Sequence, residues 1–371
     1  MMQSFRLGKI LGIPVGVNSS WFIIFVLITL SFSTQFASQH PGWTGSQNFA
    51  FGIVTSLLFF ASVILHELGH SVVALHHGIP VKSITLFIFG GVAQIAREPE
   101  RPSHEFQIAI AGPLVSAALA AFFHTVGSLT RGTLEGVSSL GGWLGSINLA
   151  LALFNLIPGF PLDGGRVLRA IVWKYTASFE RATNIAAGSG QFFAYGFIVF
   201  GGWRALSGNF FGGLWIGFIG WFLLNAAQTT SAQVSFRRAL KGVTAGDLMI
   251  HECLQVPGSL SIAELVEAYL LRDGYRCALI VDGDRLRGLL TLHEIKKVPR
   301  EEWESTSVQA VMVPEEALMK VTPGTPVNQV LQVMIEGNIG QVPVVEGGRL
   351  LGVVGRDRLL ALVETRLELK A

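Results

Sequence analysis

Residues 63–71, "VILHELGHS", decide how this chain is read. They sit in an apolar run from 51 to 76, long enough for a membrane span, which needs about 20 mostly apolar residues. Yet the run carries His66, Glu67 and His70. Ionisable groups inside a span are costly and usually functional. On a helix, His66 and His70 fall on one face, one turn apart, where two imidazoles can share a metal ion. Glu67, beside the first histidine, can address a water on that metal. This is the H-E-x-x-H spacing of zinc hydrolases. The alternative is a set of polar groups that hydrogen-bond between helices.

Composition supports a membrane setting. Of 371 residues, 50% are hydrophobic and 14% charged, with mean hydropathy +0.51, against about 25% charged in soluble domains. Residues 1–241 hold 14 Lys and Arg against 7 Asp and Glu, whereas 242–371 hold 13 against 18. The first part is therefore basic and apolar, the second acidic and soluble in character, with the boundary near Lys241. The overall charge of +2 argues against a nucleic-acid partner. Cys253 and Cys277 make no disulfide framework and read as buried thiols. The N-terminus, with Arg6 and Lys9 but no prompt cleavage site, reads as an uncleaved start.

Six spans are predicted, at roughly 16–36, 51–76, 105–127, 140–175, 188–207 and 210–230. The fourth is broken by Pro158, Gly159, Pro161, Gly164 and Gly165. Proline removes a backbone donor, and irregular backbone at membrane depth is tolerated only inside protein or beside water. The break is thus expected to line a cavity. Basic residues set the orientation: 12 fall on the side of the N-terminus and of the exit at 237–241, and 2 on the other. Both termini and the tail should be cytosolic. Between the second and third spans, "VKSITLFIFGGVAQIARE" reads as a β-hairpin turning near Gly90 and Gly91, either sealing the bundle or offering an edge to another chain.

A catalytic zinc ion usually takes three protein ligands. Asp163 is the sole aspartate before Asp247 and lies in the broken span, in "NLIPGFPLDGG". A zinc ion on two neutral histidines would supply its counter-charge. Pairing with Arg166 is the alternative. His76 and His77 read as interfacial, while His40, His104 and His124 stand alone.

Taken together, "HELGH" at 66–70, "NLIPGFPLDGG" at 155–165, "FGGVAQ", "AGP" at 111–113 and six spans resemble the site-2 protease family of intramembrane zinc metalloproteases. The resemblance implies His66, His70 and Asp163 as ligands of one Zn²⁺ and Glu67 as general base, with Asn155 assisting near the scissile carbonyl. No PDZ-like insert separates the motifs.

Residues 243–298 and 307–367 repeat each other at an offset of about 64, with Val281 on Val345, Leu286 on Leu350 and Gly288 on Gly352. The repeat resembles tandem CBS domains, many of which bind adenine nucleotides through a Thr or Ser and an acid three residues later. The first copy has Thr291 and Glu294; the second has Gly355 and Arg358. One site for ATP or another adenine nucleotide is implied, with a structural or dimerising tail as the alternative.

The predicted fold class is a polytopic α-helical membrane protein with a membrane-associated β-hairpin, followed by a soluble α/β tandem CBS module. The expected activity is zinc-dependent hydrolysis of peptide bonds in transmembrane segments of protein substrates in the lipid bilayer, in regulated intramembrane proteolysis. A homodimer through the tail is a further expectation. The alternatives are a non-proteolytic zinc-binding receptor and a metal transporter; Glu67 speaks against both, because a ligand-only site needs no base.

Overall fold

The computed structural model describes residues 4–88, 90–250, 254–273, 275, 277–283, 285–337, 339–347 and 349–369. Among the described residues, seven helices organise the first part: α1 (Ser19–Gln39), α2 (Gly45–His76), α3 (Pro102–Leu129), α4 (Glu135–Asn155), α5 (Asp163–Thr176), α6 (Phe179–Leu206) and α7 (Phe210–Leu240). All but α5 are long and apolar enough to cross a membrane. The chain is a multi-pass membrane protein. Local signals set the helix starts: the Asn18 side chain accepts from Ser20 N–H ahead of α1, and Thr44 and Gln47 form a capping box on α2.

The predicted fourth span proves to be two elements. The spanning helix α4 stops at Asn155, and after an irregular stretch at 156–162 the chain restarts as α5. With 14 residues, α5 is about 21 Å long at 1.5 Å per residue, short of a hydrocarbon core of about 30 Å. The irregular stretch rests on protein. Phe160 N–H donates to Ala186 O of α6 at 3.1 Å, and the Ser189 hydroxyl donates to Pro158 O. Glycine permits the fit: a Cβ on Gly159 would lie 2.5 Å from Gly190 Cα.

The predicted hairpin is present as β3 (Val81–Phe87) and β4 (Gly90–Ile95), but it is half of a larger sheet. Two N-terminal strands, β1 (Ser4–Ile10) and β2 (Ile13–Asn18), extend it to the order β1-β2-β3-β4. β2 pairs with β3 in parallel, Val15 opposite Ile84. Alternate residues of β2, Ile13, Val15 and Val17, are buried with Ile84 and Leu86. β4 forms one edge of the sheet and packs on α2.

Compact units divide at Met1–Val234 and Ser235–Ala371, within α7 and just before the change in charge at Lys241. The second unit contains the repeat. Strands Cys277–Asp282 and Arg285–Thr291 form one antiparallel pair, and Gln341–Glu346 and Arg349–Gly355 the other. Both pairs carry a register shift at the equivalent place, beyond Ile280 opposite Gly288 and beyond Val344 opposite Gly352. A helical stretch at 262–273 answers helix Val327–Glu336, and each packs its apolar face into its own repeat's core. Cys277 is buried; Cys253 lies outside the described residues.

Candidate metal centre

Two elements deliver three donor atoms to one point. His66 and His70 project from one face of α2, and Asp163 opens α5. Asp163 Oδ2 lies 3.2 Å from His66 Nε2 and 3.1 Å from His70 Nε2, and the two Nε2 atoms are 3.3 Å apart. Zinc bonds of about 2.0 Å in a tetrahedron place neighbouring ligand atoms about 3.3 Å apart. Both imidazoles are buried, 4% exposed each.

The outward nitrogens are held by α3. His70 Nδ1 lies 2.6 Å from Ile108 O. A carbonyl only accepts, so a neutral His70 carries its proton on Nδ1 and leaves Nε2 bare for a metal. His66 Nδ1 lies 2.9 Å from Ser116 Oγ. Between these two partners lies Gly112, where a Cβ would stand 2.7 Å from His66 Nε2 and nearer still to His70 Nε2. The donor set and the glycine cradle fit a zinc ion.

Glu67 lies on the neighbouring side of α2 and meets the sheet. Its Oε2 accepts from Ala93 N–H of β4 at 3.1 Å. A Cβ on Gly91 would lie 2.6 Å from Glu67 Cγ, so the strand approaches the carboxylate only because that position is glycine. The "FGGVAQ" and "AGP" segments thereby acquire physical roles: clearance for Glu67 in one, clearance for two imidazoles in the other.

Other expectations fare differently. Arg166 is turned toward Glu105, Nε to Oε1 at 3.8 Å, and among the described ion pairs Asp163 meets the two histidines. Asn155 ends α4 and donates its amide to Leu151 O of its own helix at 3.0 Å. His104 is not isolated; its ring stacks on His77 at 4.1 Å. His40 is held by Ser139 Oγ at 2.9 Å. Thr291 donates to Glu294 at the end of the first repeat's hairpin. Sequence reasoning passed over Ser116 and Ile108 and quoted Gly112 only as part of "AGP". Their signal is the spacing 108, 112, 116, which puts them on one face of α3.

Known proteins resemble this chain along its whole length. The model of peptidase family M50 matches residues 54–133 and 128–197, and that of the CBS domain matches 245–301 and 308–365. The Synechocystis protein sll0528, named for zinc metalloprotease activity, is 37% identical over 98% of this chain and 97% of its own. Zinc metalloprotease MJ0392 of Methanocaldococcus jannaschii is 32% identical over 100% of both chains. Among solved structures, a site-2 protease from the same archaeon is 34% identical, covering 62% of this chain and 95% of its own with a TM-score of 0.44. These names favour neither the receptor nor the transporter.

Proposed function

This chain belongs to peptidase family M50, the zinc metalloproteases of site-2 type, and on that premise we propose that it cleaves peptide bonds within or near transmembrane segments of membrane-anchored proteins, in regulated intramembrane proteolysis. The observation that carries this reading is the convergence of His66 Nε2, His70 Nε2 and Asp163 Oδ2 beside a carboxylate held at a sheet edge. His66, His70 and Asp163 hold the metal, which when bound supplies Lewis acidity to a carbonyl and to water. Glu67 takes the water's proton and returns it to the leaving amine. A substrate helix hides its carbonyls in hydrogen bonds, so the segment must unwind before it reacts. An unwound segment can add to the free edge of β4, which brings it beside Glu67. Asn155, at the end of α4, would swing from Leu151 O to assist the carbonyl.

The test is reconstitution. The full chain in liposomes, with a reporter whose single span carries a mass label at each end, should release fragments cut inside the apolar segment. A zinc chelator should stop release and added zinc restore it. Fragments that persist unchanged in chelator would remove metal from the chemistry.

We further assign 1–241 to the protease part and 243–298 and 307–367 to the two CBS repeats, with both termini and the repeats cytosolic. Reporter fusions at Gly45 and Gly136 should then read outside, and those at Arg97 and Lys241 inside; a reversal at any two breaks the assignment. The CBS pair is read as a regulatory module that takes one adenine nucleotide at Thr291 and Glu294 and that can pair two copies of the chain. Calorimetry should show ATP binding that Thr291→Ala weakens at least tenfold. Equal binding by both proteins would exclude that site.

A further inference from the structure

Among the described residues, Glu105 is the buried acid that the metal centre does not use. It sits in the first turn of α3 and is 0% exposed, and Arg169 of α5 is 7% exposed. Arg169 Nε donates to Glu105 Oε1 at 2.9 Å, a terminal Arg169 nitrogen also donates there, and Arg166 Nε approaches the same oxygen at 3.8 Å. Arg169 is further held over the rings of Phe160 and Phe179, at 4.9 and 4.6 Å. Glu105 Oε2 finds no partner among the described residues.

A buried ion pair is a weak source of stability, because desolvation offsets its attraction. Its use here is geometric. Glu105, Ile108, Gly112 and Ser116 follow one another at intervals of three and four, so one face of α3 carries them all. Ile108 and Ser116 fix the two imidazoles, and Gly112 gives them room. Seven residues, about 10 Å of helix, separate Glu105 from Gly112. On α5, Arg169 lies six residues beyond Asp163, about 9 Å. The two helices therefore present matched rulers, with the ion pair at one end and the three donor atoms at the other. The fork of Arg169 on a fixed carboxylate restrains α5 along its axis and in rotation.

We propose that Glu105 and Arg169 are positioning residues that set the Asp163 carboxylate against the two histidines. The inference rests on the three-ligand reading above. Asp163 opens α5 after an irregular stretch, so its place depends on where α5 docks. α3 holds both imidazoles and, through Glu105, the helix that carries Asp163.

The experiment measures zinc dissociation by chelator competition on the purified full chain, for Glu105→Gln, Asp163→Asn and the double variant. Glu105→Gln should weaken zinc about 10- to 100-fold, the range for groups that orient metal ligands, and lower kcat on the reporter span with KM within twofold. In the Asp163→Asn background the same change should shift zinc affinity by less than twofold, because the ligand it positions is already gone. The exchanged pair Glu105→Arg with Arg169→Glu should recover part of the loss. If Glu105→Gln does not yield a monodisperse chain, Arg169→Lys keeps the charge, loses the fork and takes its place in the same cycle. Unchanged zinc affinity in Glu105→Gln, or an equal loss in both backgrounds, overturns the proposal. Wild-type zinc affinity in Asp163→Asn alone overturns the three-ligand reading instead.

Discussion

Gly112→Ala should leave the helical bundle folded and weaken zinc by at least about 100-fold, beyond the upper end for groups that only orient a metal ligand. A Cβ at this position would stand 2.7 Å from His66 Nε2 and closer to His70 Nε2, the atoms that face the metal. The obvious relief, moving α3 away from α2, is resisted from the other side of the contact. A Cβ on Gly69 would already lie 2.9 Å from Val115 Cγ2 and 3.1 Å from Ala111 O, so the two helices touch at backbone distance. The imidazoles must turn instead, and turning breaks their bonds to Ile108 O and Ser116 Oγ. Stability should change little. Alanine favours a helix interior over glycine by about 1 kcal/mol, while overpacking costs about 1–3 kcal/mol. Gly142→Ala on α4 is the control, because its Cβ would meet nothing within 4 Å; it should bind zinc as the wild type does and melt no lower. Stoichiometric zinc in purified Gly112→Ala, held as tightly as in the wild type, would mean that the cradle is not where the metal sits.

What could be read from the sequence was local. The pair His66 and His70 is one helical turn, and "NLIPGFPLDGG" is a run of backbone breakers that contains a single carboxylate; both carry their geometry in their spacing. The repeat at an offset of 64 was legible for the same reason, whereas the register shift that each copy keeps appears only in the strand pairing. What escaped was pairing across distance. β2 joins β3 over an interval filled by α1 and α2, and nothing in "IPVGVN" names its partner. The acceptor for His70 is a main-chain carbonyl, which has no sequence signature. Glu105 carries no signal in the sequence beyond that of an acid in a first helical turn, where the dipole favours it; its burial follows from α5 folding back onto α3. Arg166 was weighed as the partner of Asp163 because it is three residues away, yet the arginine turns to Glu105.

Glu67→Gln should keep zinc and lose cleavage, and the structure separates these two outcomes. The three donor atoms come from His66, His70 and Asp163, so the substitution removes no ligand from that set. Nor does it release the sheet. Ala93 N–H donates to Glu67 Oε2 at 3.1 Å, and the amide oxygen of glutamine accepts the same bond. Side-chain length and the approach of Gly91 are also preserved. What glutamine cannot do is accept a proton from water or return one to an amine. General acid–base catalysis contributes about 10²- to 10⁴-fold, so kcat should fall by that factor, about 3–5 kcal/mol of barrier, with KM nearly unchanged. Zinc affinity should stay within about threefold, far short of the 10- to 100-fold loss that follows from disturbing a ligand's support. The variant should therefore hold substrate without cutting it, and a crosslinker placed on β4 should trap more intact reporter than in the wild type. Metal analysis that finds the variant empty would make Glu67 part of the metal's own shell. Undiminished cleavage would assign the proton transfer to another group.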